Sequence, residues 1–450
     1  MASAVEQFAS NLNFSSFAKA HELKQRLWFT LLAIIIYRVG THIPLPGIDP
    51  TIWDNIFSGK EEGVLGMFNM FSGGALQRMS ILALNIMPYI SASIIMQLLT
   101  SMNPTLEAMK KEGEQGRKRI NQYTRYGTVF LAAIQAYGLA VGLESMSGAG
   151  GASAVINPGL FFRITTIITI VGGTIFLMWL GEQITARGVG NGISLIIFAG
   201  IVAGIPKSLI FMLELGREGT LSIAMVMGVV LMIVSVIAFI VFVERASRRV
   251  VVQYPKRMVG GNRMAGGQSS HMPLKINVSG VIPPIFASSL LLMPVTVAGF
   301  SNVDTGVGWL DSMSRYLQHG QPLYMFCYGA LIIFFAFFYT AIVFNPDETA
   351  DNLRKQGGII PGIRPGKATA DYLDRILTRI TVIGAAYLTF VCLLPEYIVA
   401  QNNLPFYLGG TSLLIAVTVP MDTVAQIQSH LLAHQYEGLI KKSKLRGSRK

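Results

Sequence analysis

Histidines, cysteines and carboxylates at set spacings are what hydrolytic, metal-dependent and redox sites are built from. The six histidines (His21, His42, His271, His319, His430 and His434) form no H-E-x-x-H pair, and neither G-x-S-x-G nor G-x-x-x-x-G-K-[ST] occurs. Cys327 and Cys392 both lie inside apolar runs, which suits core residues better than a disulfide framework or a metal cluster. The sequence therefore offers no catalytic, nucleotide or metal site. The polar groups that stand out are uncharged: Asn85, Pro88, Ser91, Ser93 and Gln97 punctuate the apolar run LALNIMPYISASIIMQLLT. A helix carrying them does not face lipid on every side, because its amides and hydroxyls need partners. Just before it, VLGMFNMFSGGA (64–75) is too short to span a bilayer and too apolar for a free loop. It is either a re-entrant segment entering a watery cavity from outside or an amphipathic helix on the outer surface; composition does not choose.

Among the 450 residues, 52% are hydrophobic and 13% charged, with a mean hydropathy of +0.51. Soluble domains carry about a quarter of their residues as charges, so this is a membrane protein. Apolar runs near the spanning length of about 20 residues fall at 24–43, 79–100, 123–143, 160–180, 189–210, 220–243, 276–299, 322–344, 376–395 and 404–424. Ten spans put both termini on one side, and basic residues test the count. Of 36 Lys and Arg residues, 29 fall in the N-terminal segment, the even-numbered connections or the tail, counting those at the adjoining span ends. Basic residues gather on the cytoplasmic side, so both termini are expected there. The net charge of +12 then reflects topology rather than nucleic-acid binding. The first apolar run, Leu27 to Ile36, lacks a cleavage site, so the N-terminus is expected to be retained. Nine span interiors hold no ionisable residue, and the exception, Arg38, lies where it could snorkel. That argues against a proton relay, which keeps such residues at mid-membrane.

The strings MFNMFSGGAL (67–76), IMPYISASII (86–95), KKEGEQGRKRINQYTRYGT (110–128), GEQITARGVGNGISLIIFAGIVAG (181–204), VFVERASRRV (241–250), FNPDETADNLRKQGG (344–358), PGIRPGKAT (361–369) and PFYLGGTSLLI (405–415) resemble the bacterial SecY family along nearly the whole chain. Members are central subunits of the Sec protein-conducting channel of the bacterial inner membrane. The resemblance implies an all-α, polytopic fold: two inverted five-helix halves, 1–210 and 211–450, around a pore. Ten spans dividing five and five agree, without a residue-level internal match.

The resemblance further implies residue roles. A ring of isoleucines, Ile86, Ile90, Ile197, Ile201, Ile285 and Ile415, would seal the pore by dewetting yet yield to a passing chain. By spacing alone, isoleucines four apart are ordinary packing. Residues 64–76 would be the plug, hinged at Gly73 and Gly74, and Gln97 and Asn277 would face each other at the lateral gate. The connections 244–275 and 345–375, with Arg248, Arg249, Lys256, Arg257, Arg354, Lys355 and Arg364, would dock the ribosome through its RNA phosphates, or the motor SecA. Positive-inside topology alone would also place these charges there. Implied partners are SecE, SecG, SecA, the ribosome, signal sequences, nascent polypeptides and membrane lipids, with no cofactor. Three positions depart from the family's pattern: Asn85 stands where many relatives have glycine, Pro284 follows Pro283 where they usually have one proline, and Ser279 stands where they often have alanine. Pro284 bears most on how Ile285 points. The rival readings are a secondary transporter of a small solute, which would share broken helices and inverted halves, and a structural membrane scaffold.

Overall fold

The computed structural model describes residues 21–53, 69, 72–145, 153–219, 222–254, 257–259, 263–265, 269–300, 321–401 and 409–447, without the side chains of 21, 145, 207, 257–259, 263–265, 269, 292–300 and 432–447. Helices dominate. The first half runs α1 (His21–Gly40), α2 (Met87–Met102), α3 (Pro104–Lys111), α4 (Glu114–Ser145), α5 (Leu160–Arg187) and α6 (Gly192–Arg217). Then come α7 (Ile223–Arg245), strands β1 (Ser247–Gln253), β2 (Arg257–Val259), β3 (Arg263–Ala265) and β4 (Ser269–Lys275), and helices α8 (Ile282–Phe300), α9 (Pro322–Val343), α10 (Pro346–Gln356), α11 (Lys367–Gln401) and α12 (Gly410–Gly447).

Among the described residues, seven helices are long and apolar enough to cross a membrane: α4, α5, α6, α7, α9, α11 and α12. The other three segments expected to span are helical but fall short of that measure. With 16 residues, α2 rises about 24 Å, less than a hydrocarbon core of about 30 Å. The apolar described part of α8 is Ile282–Leu291, and α1 opens on charged residues.

The second expected span begins at Met87 rather than at residue 79. Residues 72–86 are turns, with Met79 at φ 43° and Asn85 at φ 49°. Left-handed residues do not propagate a right-handed helix, and Pro88 in the first turn of α2 marks where one can start. The non-helical stretch keeps its backbone paired to the chain after α1: Leu45 N–H donates to Met79 O (2.8 Å) and Ile81 N–H to Ile43 O (3.0 Å). Such satisfaction is what lets irregular backbone survive inside a membrane protein.

Apolar burial is one-sided. On α7, Met227, Leu231, Val234 and Phe242 form an exposed stripe while Val226, Val229, Val236 and Ile240 pack inward; α5 exposes Phe161, Ile164, Ile168, Ile175 and Trp179 likewise. Exposed apolar stripes at helical spacing match lipid contact. Inside, α2 packs on α4 and α4 on α5, while α8 packs on α9 and α9 on α11; α2 meets α8, and α6 meets α12. Two clamps tie α4 to α5. Arg125 donates to both Glu182 oxygens (3.0 and 2.6 Å), and at the other end Arg163 and the Gly159 N–H hold Glu144 (2.6–3.0 Å).

The connection 244–275 is a hairpin rather than a loop. β1 and β4 pair antiparallel from Ser247 opposite Lys275 to Gln253 opposite Ser269. Val250 and Val252 point inward between the exposed Arg249, Val251 and Gln253, the period expected of a half-buried strand. The connection 345–375 folds against it: Gln253 and Ile359 exchange backbone hydrogen bonds (2.8 and 2.9 Å), and Val250, Leu274, Ile360, Leu373 and Ile376 form a small second core.

Candidate pore constriction and flanking segments

Three separate elements bring isoleucines to one point. Ile86 ends the turn segment as the N-cap of α2, Ile90 lies one turn on with its N–H donating to Ile86 O (3.0 Å), Ile197 comes from α6 and Ile285 from the first turn of α8. Together with Asn85, Met87 and Ser288 they line a small, partly open cavity. Ile201 and Ile415 are fully buried in the same core but do not line that cavity.

The departures fit this geometry. Asn85 occupies a left-handed position, and asparagine tolerates that conformation better than any residue but glycine. Pro283 and Pro284 fall in the first turn of α8, where amide donors have no intrahelical acceptor. Ile285 still reaches the cavity. Ser279 donates to the Asn277 Oδ1 (3.1 Å).

Gln97 and Asn277 are not joined by a hydrogen bond. Gln97 Nε2 donates to Ser93 of its own helix (3.2 Å), and its buried Oε1 finds no partner among the described residues. Asn277 Nδ2 donates to the buried Glu244 (2.7 Å) and to Gly280 O (3.1 Å). Glu244, at the end of α7, is thus the buried partner of a candidate gate residue that the sequence reading does not name; its signal is a carboxylate ending an apolar run. Across the α2–α8 seam, Ser289 Oγ lies 3.9 Å from Met87 Sδ.

Residues 64–68, 70 and 71 of the expected plug lie outside the described residues. The described remainder, 69 and 72–76, is compact and closes onto Gln77. Asn69 O accepts from Gly74 N–H and Ser72 Oγ (both 2.9 Å), and Asn69 Oδ1 accepts from Gln77 N–H (2.9 Å). Gly73 has φ 67°, and a Cβ there would lie 2.8 Å from Gly200 Cα of α6, so the position requires glycine twice over. Arg38, expected to snorkel, instead turns its guanidinium onto the Gly73 carbonyl (3.0 Å).

Arg248, Arg249, Arg354, Lys355 and Arg364 are all exposed, and none makes an ion pair among the described residues. Lys256 lies outside the described residues, and of Arg257 only the strand backbone is described. Arg354 and Lys355 end α10, which Asn345 caps at its start by accepting from Asp347 N–H (3.1 Å). Arg364 sits between Gly362 (φ 82°) and Gly366 (φ 108°), its carbonyl held by Thr369 Oγ1 (2.9 Å). The stiff turn therefore presents an unneutralised guanidinium to solvent.

The family model described as SecY matches residues 80–424. "Protein translocase subunit SecY" of Escherichia coli (strain K12) is 54% identical over 426 residues, 95% of this chain and 96% of that one. The protein of the same name from Rickettsia conorii is 55% identical over 434 residues, 96% of this chain and 99% of that one. Among solved structures, "The structure of a protein conducting channel" superposes with a TM-score of 0.61 at 19% identity, covering 90% of this chain and 92% of the other. "Sec61 in the Canine ribosome-channel complex from the endoplasmic reticulum" gives 0.60 at 20% identity with the same coverage. The chain belongs to the SecY family.

Proposed function

We propose that the chain is the channel subunit through which unfolded secretory proteins cross the bacterial inner membrane and from which membrane segments leave sideways into lipid. The observation that carries this reading is the meeting of Ile86, Ile90, Ile197 and Ile285 at one small cavity inside the bundle. Branched apolar side chains around a narrow opening repel water and ions yet rotate aside for a polypeptide of any sequence. A solute carrier would need several convergent polar groups in its pocket; this cavity is lined mainly by isoleucines and is mostly apolar, and the family is one of protein translocase subunits.

Ile201 and Ile415 complete the ring in this proposal, with 64–76 as plug and Gly73 and Gly74 as its hinge. The α2–α8 seam, with Gln97 and Asn277 beside it, is the lateral gate. The ten-span count, the two halves 1–210 and 211–450 and the cytoplasmic placement of both termini rest on hydropathy and the basic-residue distribution. The hairpin and the α10–α11 turn, with Arg248, Arg249, Lys256, Arg257, Arg354, Lys355 and Arg364, form the surface for ribosomal RNA phosphates or SecA. SecE and SecG complete the assembly. The chain itself performs no bond chemistry.

A secretory precursor stalled by a tightly folded C-terminal domain tests the proposal. With photo-reactive groups at position 90 or 197, it is expected to crosslink in transit. Precursor that never crosslinks there, in membranes where this chain drives saturable uptake of a small solute, would overturn the reading.

A further inference from the structure

The contacts that hold residues 72–81 fall into two classes that separate along the chain. At 79–81 they are backbone to backbone: Met79 O and Ile81 N–H pair with Leu45 and Ile43, and Pro44 bridges Ser80. Over 72–76 the described side-chain donors come from α1 and the segment after it. Tyr37 Oη–H donates to Ser72 O (3.2 Å), Arg38 Nη1 to Gly73 O (3.0 Å) and Trp53 Nε1–H to Leu76 O (3.1 Å). Tyr37 and Trp53 are almost fully buried, which favours keeping these donors paired, and the Tyr37 hydroxyl also shares a hydrogen bond with the Asn85 side chain. Asn69 meanwhile closes 69–77 on itself through three hydrogen bonds.

Residues 74–76 are tied to the backbone-paired anchor at 79–81 by their own turn bonds, Arg78 N–H to Gly74 O (3.3 Å), Ser80 N–H to Ala75 O (2.9 Å) and Met79 N–H to Leu76 O (3.0 Å), and Ala75 and Leu76 are buried. On the plug side of the proposed hinge at Gly73 and Gly74, the carbonyls of 72 and 73 are held by side-chain donors from α1, and breaking those two loosens that end while 74–81 stays paired. We infer that Tyr37 and Arg38 form a latch that holds the plug shut, with Arg38 as the stronger member because a charged donor makes the stronger hydrogen bond. These are positioning residues: they act on the seal through the carbonyls of 72 and 73. The inference rests on the reading of 64–76 as the plug.

Resting ion conductance of the assembled translocase in planar bilayers tests it. Arg38→Gln removes the charge and is expected to raise the leaking population about tenfold, the worth of one charged hydrogen bond. Arg38→Lys restores a charged donor and is expected to return close to wild type. Tyr37→Phe deletes one hydroxyl from an otherwise unchanged side chain and gives a smaller rise, which keeps the test intact if Arg38→Gln assembles poorly. Deleting 64–76 removes both acceptors. The deletion is expected to leak, and Arg38→Gln is expected to add nothing to it. Wild-type tightness in both Arg38→Gln and Tyr37→Phe, beside a leaking deletion, overturns the latch and spares the plug. A leak that Arg38→Gln adds on top of the deletion also overturns it, because the arginine then acts elsewhere. A deletion that stays tight refutes the plug reading, and the latch with it.

Discussion

The carboxylate of Glu244 is buried at the end of α7, and the Asn277 amide 2.7 Å away is the donor that makes its burial tolerable. Asn277→Leu strands that carboxylate and is expected to cost about 1–3 kcal/mol of stability, read by thermal unfolding in detergent. In the Glu244→Gln background the same change is expected to cost clearly less. Equal losses in both backgrounds would show that the two side chains are not coupled. Gln97 behaves differently, because its buried Oε1 has no partner to lose among the described residues. Leucine at position 97 is expected to tighten the α2–α8 seam and reduce export of clients with defective signal sequences. If Gln97→Leu and Asn277→Leu both export such clients as wild type does, the gate assignment fails. The residue types were legible in the sequence, but their partners were not. Ser93 lies four residues from Gln97 on one helix, and Glu244 lies 33 positions from Asn277; hydropathy encodes neither pairing.

The start of α2 shows where element-level reading fails. Residues 79–86 are as apolar as the helix after them, so a hydropathy window cannot see the break. Its signals were Pro88, which suits a first turn, and Asn85, which takes the left-handed conformation. Asn85→Gly is expected to be near neutral, whereas Asn85→Val should cost roughly 1–2 kcal/mol because a β-branched residue at φ 49° is strained. Thermal unfolding distinguishes them, and indifference to valine would contradict a left-handed position 85. The 244–275 hairpin went unread for a different reason. Its alternation is confined to Arg249–Gln253, and the arginines at its start read as topology signals. The turn at 361–366 was legible from its two prolines and two glycines. Arg364→Glu leaves that turn's backbone intact while reversing its exposed charge, so it is expected to abolish SecA-driven translocation into vesicles with normal assembly. Normal transport by that variant would remove Arg364 from the docking surface.

At the scale of the whole molecule, membrane character, the order of the apolar segments and the basic asymmetry follow from composition. The convergence of three elements on one cavity does not, because it depends on how α2, α6 and α8 meet. Four isoleucines separated by up to 199 positions become neighbours there. Sealing is then a property of their assembly. Isoleucines that merely pack should tolerate serine with modest, separable stability losses, whereas isoleucines that keep a constriction dry should admit water and ions when they are changed together. The direct measurement is resting ion conductance of the assembled translocase in planar bilayers, carrying Ile86→Ser, Ile90→Ser, Ile197→Ser and Ile285→Ser combined. A control carries serine at Ile35 and Ile36, on the exposed face of α1. The quadruple variant is expected to assemble, to leak ions at rest and to retain part of its precursor transport, while the control stays closed; a quadruple variant as tight as wild type, or a control that leaks equally, would contradict the pore.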